Sequence, residues 1–143
     1  MIAVDTNILV YAHREDAPQH RPAKEALLRL ATGVAPFGIP WPSVSEFLAI
    51  VTHQRIYQPP STTAQALAGV NALKALPNAR FLGETQRHLD VLEMILSPGV
   101  TGAKMHDARI AAICLSHGVS ELWTADRDFS YFPELRTRNP LIA

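Results

Sequence analysis

The opening residues restrict this chain more than any other stretch. Ile2-Ala3-Val4 is apolar and β-prone throughout, lacks the polar alternation of a strand with one wet face, and stops abruptly at Asp5-Thr6-Asn7. A strand of that kind is covered on both faces, the situation inside a parallel sheet flanked by helices. The pattern then continues. Ile8-Leu9-Val10-Tyr11-Ala12 starts a helix after a tight turn, a polar break follows at Arg14-Glu15-Asp16 with Pro18, and a second helix runs through residues 24–30 toward Gly33. Residues 35–39, between prolines, form a weak strand candidate.

Pro42-Ser43 opens the next helix. Ser43-Val44-Ser45-Glu46 fits a capping box, which puts Glu46 in the first turn, and Phe47, Ile50 and Val51 supply helical spacing. Residues 63–75 form a helix with Ala66, Leu67, Val70 and Leu73 apolar, 79–82 a strand, and 89–96 a helix. Residues 105–117 form a helix whose buried stripe is Met105, Ala108, Ala111, Ala112 and Leu115, stopped by Gly118. Residues 121–124 are a strand, 126–129 a loop entering a short helical turn, and 135–138 a last short strand. Strands alternating with one or two helices predict a three-layer α/β/α fold with a mostly parallel sheet. Right-handed crossovers leave few topologies for it.

A chain of 143 residues suits one domain over 1–143, large enough to bury roughly 68–70% of its unfolded surface around one core. The single cysteine, Cys114, excludes an intrachain disulfide and a cysteine-based zinc cluster, and its place in an apolar helix marks it as core. The N-terminus has no basic leader, and no apolar run reaches the ~18 residues of a spanning helix, so a soluble, cytoplasmic protein without a membrane partner is expected. Thirteen basic and thirteen acidic side chains leave no net charge. Any binding of a nucleic acid therefore depends on local placement of Lys and Arg, not on the overall field.

The acids fall at meaningful places. Asp5 follows the first strand, and Asp126 and Asp128 follow the strand at 121–124. In an open parallel sheet, ligands bind beyond the carboxyl ends of the strands, where strand order reverses. Glu46 and Asp107 lie near the starts of helices that follow strands, and such N-termini point to the same end of the sheet. Carboxylates gathered there repel one another, and some protonate unless a cation joins them. Mg²⁺, with Mn²⁺ as a substitute, prefers oxygen ligands and keeps several waters. Such an ion lowers the pKa of a water, orients it in line and stabilises charge on a phosphodiester; paired ions ~3.5–4 Å apart do so from both sides. Singly, each acid except Asp5 has an ordinary explanation as a helix cap or dipole partner.

Four segments together resemble the PIN-domain nucleases. These are Asp5-Thr6-Asn7-Ile8-Leu9-Val10-Tyr11-Ala12, Ser45-Glu46-Phe47, His106-Asp107-Ala108 and Thr124-Ala125-Asp126-Arg127-Asp128-Phe129, in order and across nearly the whole chain. The resemblance is closest to VapC-type toxins of toxin–antitoxin pairs. It implies strand order 3-2-1-4-5, magnesium-dependent cleavage of RNA, a homodimer and a small inhibitory antitoxin. It also implies that Asp5, Glu46, Asp107 and Asp126 are the catalytic and metal-holding acids, with Thr6, Asn7, Thr124 and Asp128 supporting them. An antitoxin helix is expected in an apolar groove around residues 47–57, with an Arg reaching the acids.

Lys104, His106, Arg127 and Arg14 flank the expected cleft and are candidate phosphate contacts, with solvated surface the plainer reading of each. Six scattered histidines lack zinc-site spacing, and no glycine-rich phosphate loop or Ser/His/Asp elbow is present. Trp41 and Trp123 are expected in packing rather than base stacking. Two other function classes stay in view: a different magnesium-dependent phosphoryl-transfer or receiver-like domain, and a non-catalytic RNA- or partner-binding module. A receiver wants a Lys after its last strand, where this chain has Arg136 and Arg138, and a polyanion binder gains nothing from unneutralised acids.

Overall fold

The computed structural model describes residues 1–142. Five strands, β1 (Ile2–Val4), β2 (Phe37–Pro40), β3 (Ala79–Leu82), β4 (Glu121–Trp123) and β5 (Thr137–Arg138), form one sheet of order β3-β2-β1-β4-β5. Every pairing is parallel. β1 is central, and the order reverses between it and β4, as the family resemblance implied. Six helices cover the faces: α1 (Thr6–His13), α2 (His20–Thr32), α3 (Trp41–Val51), α4 (Thr63–Lys74), α5 (His88–Ile95) and α6 (Lys104–Ser116).

Successive residues of a strand point to opposite faces, and β1 shows what that does to the core. Ala3 packs into one apolar layer with Ile110, Ile113, Phe129 and Phe132, beneath α5 and α6. Val4 packs into the other with Ile8, Phe37, Ile39 and Phe47, beneath α1 and α3. Both residues are fully buried, which is why the strand carries no polar residue until Asp5. Gly38 in β2 lies so close to Leu82 of β3 that a Cβ would come to 2.5 Å from its Cδ1, so a side chain there would displace the buried Leu82 side chain. Gly118, at φ +69°, takes the left-handed turn that ends α6, and Val119 N–H returns to Cys114 O at 3.0 Å.

The expected capping box at Ser43 is absent. α3 starts two residues earlier, at Trp41 after Pro40, and no side chain caps it. Pro42, with no N–H to lose, fits an early helical position, leaving Ser43 inside the helix with its Oγ buried and unpartnered. Glu46 consequently stands beyond the first turn and has no capping duty. A full capping box occurs instead at α4, between Thr62 and Gln65. α2 begins four residues ahead of the expected start. On α6, Met105 is exposed rather than part of the stripe, whereas Ile110, Ile113 and Cys114 are buried, so that helix is enclosed on more than one side. Trp41 is 48% exposed and stacks on Phe81, while Trp123 is core. No helix among the described residues is long and apolar enough to cross a membrane.

Candidate active site

Asp5 is fixed from three directions. Its N–H donates to Trp123 O at 3.0 Å, tying the end of β1 to β4. One carboxylate oxygen accepts from Thr6 N at 2.8 Å and caps α1, and the other accepts from Thr124 Oγ1 at 2.7 Å. Burial, with lesser contributions from the charges of Glu46 and Asp126, pushes the carboxyl up to about 6 despite those two hydrogen bonds. The cap is thus structural, yet it is held in an environment that penalises its charge.

Thr124 is the hinge pin of the site. Besides donating to Asp5 it accepts from Asn7 Nδ2 at 3.3 Å and from Asp126 N at 2.9 Å. Asn7 Oδ1 accepts from Ala125 N at 3.2 Å, so α1 and the segment after β4 are laced together. Asp126 caps the 3₁₀ turn Arg127–Tyr131 by accepting from Asp128 N at 2.8 Å. Glu46 reaches in from α3 and accepts from Thr6 Oγ1 at 2.7 Å.

Asp107, in the first turn of α6, completes the cluster. Burial, then the charges of Asp126, Asp5, Asp128 and Glu46, pushes its carboxyl up to about 7. Asp107, Asp126 and Asp128 offer oxygens within 4.8 Å of one another. Asp5, Thr6, Asn7, Glu46, Asp107 and Asp126 line one cleft of about 320 Å³. The donors are all oxygen, and no basic side chain lines that cleft, so the set fits a hard divalent cation and not a thiophilic one.

The candidate phosphate contacts are placed unevenly. His106 and Arg127 are exposed beside the acids. Lys104 lies over the Tyr131 ring, its Nζ 3.9 Å from the centroid. Arg14 is not free for phosphate. Its guanidinium grips Asp16 at 2.9 and 2.6 Å, donates to Pro59 O at 2.9 Å and Ser61 Oγ at 3.2 Å, and covers the Tyr57 ring.

Sequence reasoning missed the other wall of the cleft, formed by Val10, Tyr11, Ile50, Ile56 and Tyr57. Tyr11 follows Asn7 by one helical turn, a spacing that puts both on one face, so that signal was present. Tyr57 sits in a loop with no periodicity to betray it. An apolar groove of about 320 Å³ runs elsewhere, between α2 and α4, lined by Leu27, Leu28, Leu73 and Leu76 with Phe47 at its base. The groove expected around residues 47–57 is therefore shared out: Phe47 floors the α2–α4 groove, whereas Ile50 and Tyr57 face the acids.

A family model for the PIN domain matches residues 2–135. VapC ribonuclease Mb2897 of Mycobacterium bovis is 37% identical over 142 residues, which is 99% of this chain and 96% of that protein. Among solved structures, the sarcin-ricin loop cleaving toxin VapC20 of Mycobacterium tuberculosis superposes with a TM-score of 0.68 at 19% identity, covering 95% of this chain and 99% of the other. A toxin-antitoxin complex from Klebsiella pneumoniae gives 0.59 at 21% identity, with 98% of each chain covered.

Proposed function

The chain belongs to the PIN-domain family, and on that footing we propose that it is a magnesium-dependent endoribonuclease acting as the toxin of a toxin–antitoxin pair. The observation that carries the reading is the convergence of Asp5, Glu46, Asp107 and Asp126 on one cleft at the carboxyl edge of β1 and β4, with Asp5 and Asp107 raised by burial and mutual repulsion. The full-length relative of M. bovis, named a VapC ribonuclease, supports it.

Asp5, Asp107, Asp126 and Glu46, with Asp128 beside them, would hold Mg²⁺, or Mn²⁺ in its place. A hard cation there would supply an activated water and offset charge on a phosphodiester. The chain's own residues prepare that binding. Thr124 and Thr6 each spend a hydroxyl proton on an acid, Asp5 and Glu46, so each acid keeps one orientation. Asn7 holds the strand-end loop against α1 and keeps Asp126 in reach of Asp107. Asp5 and Asp107, raised to about 6 and about 7, would hold protons for part of the time near neutral pH and give them up to a cation bound there. His106 and Arg127 lie exposed beside the acids, where incoming phosphates pass.

The partner assignment rests on the toxin-antitoxin likeness. The α2–α4 groove offers an apolar seat for a partner helix, and an Arg from the partner would find paired acceptors in the acid cleft. Exposed Leu89 and Met94 on α5 offer apolar surface for a homodimer. The test is cleavage of total cellular RNA by the purified chain with Mg²⁺ or excess chelator, with the new ends mapped, beside growth of cells expressing it alone or with its neighbouring small reading frame. Cleavage only with the metal, and arrest relieved by the neighbour, are expected. Robust cleavage in chelator, or no cleavage with metal, overturns the reading.

A further inference from the structure

The cleft has two walls of opposite character. One carries the acids; the other presents Val10, Tyr11, Ile50, Ile56 and Tyr57. Acids with a cation can engage a phosphate, but they give no account of apolar side chains beside them. Isolated exposed apolar residues are ordinary. These are contiguous, share the cavity with Asp5 and Glu46, and include Ile56 at 53% exposure on the rim.

Tyr57 is also held still. The Arg14 guanidinium carbon lies 4.5 Å from its ring centroid. Arg14 is itself locked by Asp16, Pro59 O and Ser61 Oγ, and only 12% of its side chain is exposed. Arg14 lines the neighbouring polar cavity with Asp16 and Ser61 and is absent from the acid cleft. The cation thus covers the ring from outside the cleft that Tyr57 itself lines. A ring fixed in this way gives up little conformational freedom when something stacks on it, and a planar base is what an aromatic wall next to a phosphate site can take.

Resting on the ribonuclease reading, we propose that Tyr57, braced by Arg14, is the stacking platform for the nucleobase next to the scissile phosphate, and so a positioning and specificity residue of this site. The polynucleotide places a base within one nucleotide of every phosphate, so the same substrate reaches both walls. Arg14 acts through Tyr57 and not on RNA.

The test uses the full chain with Mg²⁺ and a short single-stranded RNA containing the mapped cleavage site, together with versions carrying an abasic nucleotide on one or the other side of the cleaved bond. For the wild type, one abasic version is expected to raise KM on the order of ten-fold, with kcat much less affected. Tyr57→Ala should raise KM on the intact RNA by a similar factor and lose its sensitivity to that abasic position. Tyr57→Phe, which keeps the ring, should restore both. The abasic arm needs no variant, so a folding defect in Tyr57→Ala leaves the test intact. No cleavage by the wild type overturns the ribonuclease reading and this proposal with it. Cleavage that is indifferent to either abasic substitution, or a Tyr57→Ala protein with unchanged KM, overturns this proposal alone. Unchanged kinetics with sedimentation altered by loss of a second copy of the chain overturns it as well, and assigns the wall to self-association.

Discussion

At the start of helix α1 Asp5 stands among charges of its own sign, whereas at the end Arg14 stands among groups that answer its charge. At its start Asp5 shares a cleft with Glu46, Asp107 and Asp126, and burial and repulsion make its ionised form costly. At its end Arg14 meets a carboxylate, a carbonyl, a hydroxyl and an aromatic ring, and Asp16 is held below its ordinary carboxylate value by the hydrogen bond from Arg14. Both clusters join distant segments. One leaves its charge unanswered and is suited to taking up a cation; the other has answered its charges and is suited to holding a loop. The difference separates a cluster whose charge a ligand could answer from one whose charges the chain has answered itself.

The largest effect that would break this contrast is expected from Asp5→Asn. Cleavage should fall by at least ~10²-fold, since a ligand and the position of a reacting group go together. Stability without metal should be unchanged or up to about 1 kcal/mol higher. Relief of repulsion raises it, but the amide cannot accept both hydrogen bonds that Asp5 accepts from Thr6 and Thr124. Paired urea titrations in chelator and turnover assays in Mg²⁺ measure the two sides. A clear loss of stability with activity kept would mean that Asp5 is only a cap.

Arg14→Ala should do the reverse. A loss of about 1–2 kcal/mol in the same titrations is expected, because Ser61 and Asp16 lose their donor and the Tyr57 ring its cover. Its kcat should fall far less than that of Asp5→Asn. If Arg14→Ala abolishes turnover at saturating RNA in a folded protein, the two ends of α1 are not different in kind.

The smallest effect is in pH, and its sign differs between the two ends. Asp5 and Asp107 are raised to about 6 and about 7 from 3.8, so the folded metal-free chain holds protons the unfolded chain has released. Their contribution to stability therefore falls as pH rises from about 4 to about 7. Asp16 is lowered, so its contribution is present above 3.8 and is lost as pH falls through its lowered value. Denaturant titrations in chelator at pH 5 and 7.5, repeated with Mg²⁺, should show the metal stabilising more at 7.5. Equal stabilisation at both pH values would remove the claim that cation and proton compete for the same acids.

Much of the framework was legible because it is local. The unbroken apolar run before Asp5 gave a buried parallel strand, Gly118 gave a helix end, and the acids stood at the carboxyl ends of strands or the starts of helices. Strand order was not legible from residues at all and came through the family resemblance, since hydrogen-bonded neighbours such as Ala3 and Leu122 carry no mark of each other. Ser43 misled because a capping-box pattern also fits the interior of a helix that Pro42 starts early, while Thr62 to Gln65 offered the same pattern where it is used. Asp128, expected in a supporting place, brings an oxygen within 4.8 Å of those of both Asp107 and Asp126. Arg14 and Tyr57 were hidden for a different reason. Their meeting depends on where the loop after α3 lands, and tertiary packing alone decides that.

The lacing of Asp5 to Thr124 has a consequence in time. A ribosome delivers the N-terminal acid first and the strand that completes its surroundings more than a hundred residues later, at ~5–20 residues per second. For several seconds the emerging chain holds Asp5, and then Glu46, with no partner for the central strand's open side. Contacts this far apart in sequence form late. A site built in this way is incomplete while the chain is being made, and a chain cut short before β4 lacks both Thr124 and Asp126.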